Sequence, residues 1–119
     1  MNRIGITLLM VFVVFGCKYN SKLTDEKRQL KEPTGIHNIG IGYISLYGNT
    51  TGFDNTATGY STLAFNTTGS RNVAMGFSTL INNTTGSNNT GIGTNVLRNN
   101  STGDNNTAIG RKALYGNDT

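Results

Sequence analysis

The sequence predicts an all-β fold, a parallel β-roll or β-solenoid built from rungs of 17 residues. Three observations predict it. Glycine stands at 42, 59, 76, 93 and 110 and leucine at 46, 63, 80, 97 and 114, both in steps of 17. A second glycine series (35, 52, 69, 86, 103) and an asparagine series (49, 66, 83, 100, 117) hold the same step without an insertion. Such a fixed period marks an array in which one structural unit stacks on the next and touches only its neighbours. Finally, glycine recurs every few residues inside each unit, which opposes helix formation.

The first element, residues 1–16, reads as a leader. Met1, Asn2 and Arg3 make a short basic start, Ile4 to Phe15 is almost wholly apolar, and Gly16 and Cys17 follow. An apolar run of this length is too short to span a bilayer, which takes about 20 residues, and fits the h-region of a secretory signal peptide. Val14-Phe15-Gly16-Cys17 resembles the lipobox of bacterial lipoproteins, although Phe15 is bulkier than the usual residue there. That resemblance implies cleavage before Cys17, acylation of Cys17 and anchoring to a membrane through lipid, with the rest of the chain exposed at the cell surface. Two or more acyl chains anchor stably where one is marginal. Lys18 follows, where an aspartate would resemble an inner-membrane retention signal, so the outer membrane is the expected location. Cys17 is the single cysteine, which excludes an intrachain disulfide and a cysteine metal cluster. An ordinary signal peptide with an incidental cysteine is the plain alternative.

The second element, residues 17–34, is the lipidated cysteine and a charged linker. Lys18, Lys22, Lys27, Arg28 and Lys31 mix with Asp25, Glu26 and Glu32, and Pro33 ends the segment. Leu23 and Leu30 lie seven apart, but one heptad falls short of the three or four that define a coiled coil. A solvated tether is expected. The formal net charge of +4, about +3 without Arg3, is too weak and too mixed to indicate nucleic acid.

The third element, residues 35–119, holds five repeats: 36–52, 53–69, 70–86, 87–103 and 104–119, the last one residue short. Each contains Asn-Thr-Thr-Gly or a close variant, which is turn chemistry because Asn and Gly tolerate positive φ and Thr hydroxyls bond the nearby backbone. Two short runs between turns are expected as strands: the one typified by Thr107-Ala108-Ile109-Gly110, and the three residues around each leucine. Rungs spaced about 4.8 Å would make a rod roughly 24 Å long. In the first run one face holds Ala57, Ala74 and Ala108, with Gly40 and Gly91 in the other units. The opposite face holds Ile41, Met75, Ile92 and Ile109. The small face lets the two sides of a coil approach, with leucine filling the gap. The Ile/Met column then needs cover from outside the coil, since a continuous apolar stripe marks an interface. Another copy of the chain is the expected cover. The alternative places Ile and Leu inside a monomeric coil and the Ala/Gly face in water.

Asn106-Thr107-Ala108-Ile109-Gly110, with Leu114 and the Asn-Thr-Thr-Gly turns, resembles the NTAIGxxAL…NTTG repeats of tail-fibre-like and adhesin-like bacterial surface proteins. These are similar to the head repeats of YadA-like trimeric autotransporter adhesins. The resemblance covers residues 36–119. It implies a homotrimeric, left-handed parallel β-roll with the Ile of each motif near the threefold axis, and adhesion to a host or other surface. It departs from the family in having neither a membrane-inserting C-terminal barrel nor a C-terminal chaperone domain, so a lipid on Cys17 would stand in as anchor. Thr119 falls mid-turn, so either a longer gene product or closure of the last edge by assembly is expected.

Other columns offer weaker chemistry. Tyr43, Tyr60 and Phe77 share a column continued by Thr94 and Arg111, a candidate binding stripe or a packing feature. Thr51, Thr68, Thr85, Thr102 and Thr119 form an unbroken threonine column resembling those of ice-binding solenoids. Only Asp54 and Asp104 lie in the turns that faintly resemble calcium-binding RTX repeats, too few carboxylates for calcium. The repeated Asn-x-Thr sequons are explained by turn formation. His37 is the single histidine and lies in a polar turn. With no Ser/His/Asp set, no carboxylate pair and no metal spacing, neither an enzyme nor a cofactor is expected.

Overall fold

The computed structural model describes residues 35–118. The leader, the charged linker and Cys17 lie outside the described residues, as does Thr119. The described chain is an all-β solenoid in which each repeat makes one turn. Five strands of three residues each, β1 (Ile39–Ile41), β2 (Thr56–Thr58), β3 (Val73–Met75), β4 (Thr90–Ile92) and β5 (Thr107–Ile109), form one parallel sheet in sequence order. Register advances by one repeat per strand: Ala57 lies opposite Gly40, then Ala74, Gly91 and Ala108 follow. β-Branched residues dominate the two outward positions of each strand, and Ala or Gly occupies the inward one.

Strand ends are set by a glycine. Gly42, Gly59, Gly76 and Gly93 adopt φ between +124° and +132°, and a Cβ on any of them would meet backbone of the next rung's glycine. The column therefore combines a left-handed corner with the closest approach between rungs, and neither tolerates a side chain.

The run around each leucine is a turn and not the second strand that the sequence predicts. Leu46, Leu63, Leu80, Leu97 and Leu114 have φ from +47° to +54°, and the residues two positions earlier are also left-handed. Such residues leave β geometry at a cost of about 1–2 kcal/mol apiece. Their curl turns the leucine inward, and Leu63, Leu80 and Leu97 are wholly buried. Complete burial of a leucine offsets that cost, contributing roughly 1.5–3 kcal/mol. Rung-to-rung hydrogen bonding continues through the turn nonetheless: the leucine amides donate to Thr62, Thr79, Val96 and Ala113 carbonyls at 2.9–3.1 Å.

The core is thin. Ala57, Ala74 and Ala108 pack against Leu46, Leu63, Leu80, Leu97 and Val96. The small face thus turns inward and leucine fills the gap, as the column pattern predicts. Inward residues compensate in pairs. Gly91 sits where a Cβ would come within 2.7 Å of Thr79 Cγ2, and Val96 lies beside it in place of a hydroxyl residue.

Candidate binding surface

Three exposed columns and two buried ones define what this solenoid can do. The first exposed column is aromatic. Tyr43 and Tyr60 stack with ring centroids 5.3 Å apart and planes inclined by 18°, and Tyr60 stacks on Phe77 at 5.0 Å and 6°. Each ring is about half exposed, at 48–52 %. Tyr60 has a ring against both faces and Phe77 against one, and the stack adds roughly 0.5–1.5 kcal/mol per pair to rung adhesion. The structure thus brings together the three residues of the predicted binding stripe.

The second exposed column is the outer face of the sheet. Met75 (43 %), Ile92 (38 %) and Ile109 (68 %) are exposed and Ile41 is half-buried, with Ile39 exposed beside it. Thr58 occupies the same position on the second rung and interrupts the aliphatic run. These side chains point away from the coil that buries Ala57, Ala74 and Ala108. They form the apolar ridge expected of the small-face-inward arrangement.

The third is threonine. Thr51, Thr68, Thr85 and Thr102 are exposed in single file. Their neighbours Thr50, Thr67 and Thr84 spend their hydroxyls on next-rung carbonyls at 2.9–3.0 Å, and Thr102 donates to Asp118 O at 3.4 Å, so the exposed hydroxyl file is one residue wide.

The two buried columns are asparagine ladders. In one, the Nδ2 groups of Asn66, Asn83 and Asn100 donate to Oδ1 of Asn49, Asn66 and Asn83 at 2.7–3.0 Å. In the other, Asn38, Asn55, Asn72 and Asn89 accept the backbone N–H of the asparagine one rung on, at 2.9–3.0 Å. Both ladders also donate to the carbonyl of the turn glycine, so Gly69 O receives Asn55 and Asn66 together. Each coil is closed at that carbonyl. No buried side-chain polar atom among the described residues lacks a partner. Sequence reasoning treats these asparagines as turn formers and misses the ladder. The available clue was that two asparagine columns recur in every repeat, since a ladder needs the same amide on each rung. The ladders also seal Asn66, Asn83 and Asn100 of the Asn-x-Thr sequons inside the coil.

Titratable groups are sparse and superficial. His37 Nδ1 lies 3.2 Å from Asp54 Oδ1, both exposed. No group of three or more His, Cys, Asp or Glu residues that could hold a metal occurs among the described residues, and no helix long and apolar enough to cross a membrane occurs among them. The surface offers stacked rings, an aliphatic ridge and a hydroxyl file. No known protein family, curated protein or solved structure matches this chain.

Proposed function

We propose that this chain is a lipid-anchored repeat module of the bacterial outer-membrane surface, self-associating as a homotrimer and acting in adhesion or as a structural spacer, without a catalytic role. The observation that carries the reading is the apolar ridge of Ile41, Met75, Ile92 and Ile109 on the outside of a coil that already buries its own core. A second copy carries the same ridge at the same rung spacing, with Thr58 at the same break, and so can cover it. Resemblance of the repeats to trimeric adhesin heads supports three copies and a left-handed coil. Cys17 would supply the membrane anchor. Sedimentation of the full chain in detergent tests the assembly: three copies per particle are expected. A compact single copy would leave the coil standing and remove the assembly.

The exposed threonine file favours a second reading, an ice-binding solenoid. Absence of ice shaping in a thermal-hysteresis measurement would eliminate it.

A further inference from the structure

The aromatic column stops one rung before a cation. Tyr60 covers one face of Phe77, and the rung on its other side carries Thr94 at the equivalent position. The rung after that carries Arg111, which is exposed. Phe77 and Arg111 are therefore two rungs apart, roughly 10 Å. A residue of the stack spaces its ring about one rung from each neighbour. Threonine is too short to do so, and the column is one ring short there, a notch bounded by Phe77 on one side and by the Arg111 position on the other.

Arg111 is also the cation left over. Among the described residues, Arg71 lies over the Phe53 ring at 5.1 Å and Lys112 over Tyr115 at 5.8 Å. Arg98 donates to Asn95 Oδ1 at 3.2 Å. Among the described residues the side chain of Arg111 has no hydrogen-bond, ion-pair or cation–π partner, and the Thr94 hydroxyl has no hydrogen-bond partner.

We propose that the notch between Phe77 and Arg111 binds a six-membered sugar ring bearing a carboxylate, a uronic acid residue of an acidic glycan. The apolar C–H face of the ring lies on Phe77 in the place of the next aromatic ring. Thr94 exchanges a hydrogen bond with a ring hydroxyl, and the Arg111 fork takes the carboxylate in a charge-assisted pair. A neutral sugar satisfies only the first two contacts. An aromatic ring satisfies only the first and leaves the Thr94 hydroxyl without a partner. The inference rests on the reading of Tyr43, Tyr60 and Phe77 as a ligand-facing stripe and adds to it one subsite and one ligand class.

Saturation-transfer NMR on the full chain in detergent micelles tests it, with methyl glucuronide as probe and methyl glucoside as the neutral control. Glucuronide is expected to bind about tenfold more tightly than glucoside, and Arg111→Gln to bring the two to the same level. Thr94→Phe fills the notch and continues the stack, so it should raise the melting temperature while reducing the glucuronide response at least fivefold. A Thr94→Phe protein that binds glucuronide as well as the parent would overturn the notch and leave a binding stripe elsewhere on the column. Equal responses to glucuronide and glucoside, or none to either, would overturn the ligand class. Assembly is read independently from the sedimentation mass.

Discussion

Replacing Asn83 by Ala removes a donor to Asn66 Oδ1 and to Gly86 O, and takes the acceptor from one N–H of Asn100 Nδ2, which keeps its bond to Gly103 O. Leaving buried polar groups unmet costs about 1–3 kcal/mol apiece, so urea unfolding should show a loss of at least about 2 kcal/mol. Asn99→Ala, one rung on and exposed, is expected to stay within about 0.5 kcal/mol of the parent. Equal effects at the two sites would contradict the ladder. The contrast also shows what was legible at this scale. Asn favours exposed turns and buried amide ladders for the same reason, a short side chain that mimics the peptide group. Composition cannot separate the two; unbroken recurrence at 38, 55, 72, 89 and 106 and again at 49, 66, 83, 100 and 117 permits a ladder, but the exposed Thr51, Thr68, Thr85 and Thr102 recur as strictly, so burial is read only from the structure.

Each rung is one strand, one corner and one leucine turn, and these differ in how openly the sequence declares them. The strand was legible because its inward column is uniformly Ala or Gly and its outward positions are β-branched or Met. The turn was not. Three residues centred on leucine have the same hydrophobic pattern whether extended or curled, and only the backbone reveals that Ser61 and Leu63, or Ser78 and Leu80, are left-handed. The element-scale test is Leu80→Ala, which empties the centre of the core and should cost about 2–5 kcal/mol in thermal or chemical unfolding. Tyr60→Ser separates packing from binding along the aromatic column. It deletes both ring pairs, with an expected loss of about 1–3 kcal/mol. Loss of surface or glycan binding without that destabilisation would show that the stack does not hold rungs together.

For the molecule as a whole, the 17-residue step predicts which deletions survive. Removing residues 70–86 joins Gly69 to Ser87 and keeps every column in line, so a cooperative melt and a β-type circular dichroism spectrum should persist at reduced stability. Removing residues 70–78 shifts every later column by half a turn and should abolish the fold. Ile92→Asp places a charge on the outer ridge without touching the core; it should dissociate copies in sedimentation while leaving the single coil's spectrum unchanged. The direction of the backbone hydrogen bonds has one more consequence. Amides such as Gly59 N and Leu63 N bond up and down the axis to Ile41 O and Thr79 O, and nothing but neighbours holds a coil in place. A filament of this kind under tension would therefore peel from an end, one winding at a time, instead of bursting at once. Each winding would release roughly 50–55 Å of slack, the contour of 17 extended residues less one axial step. An extracellular stalk with that property would pay out under flow like line from a reel.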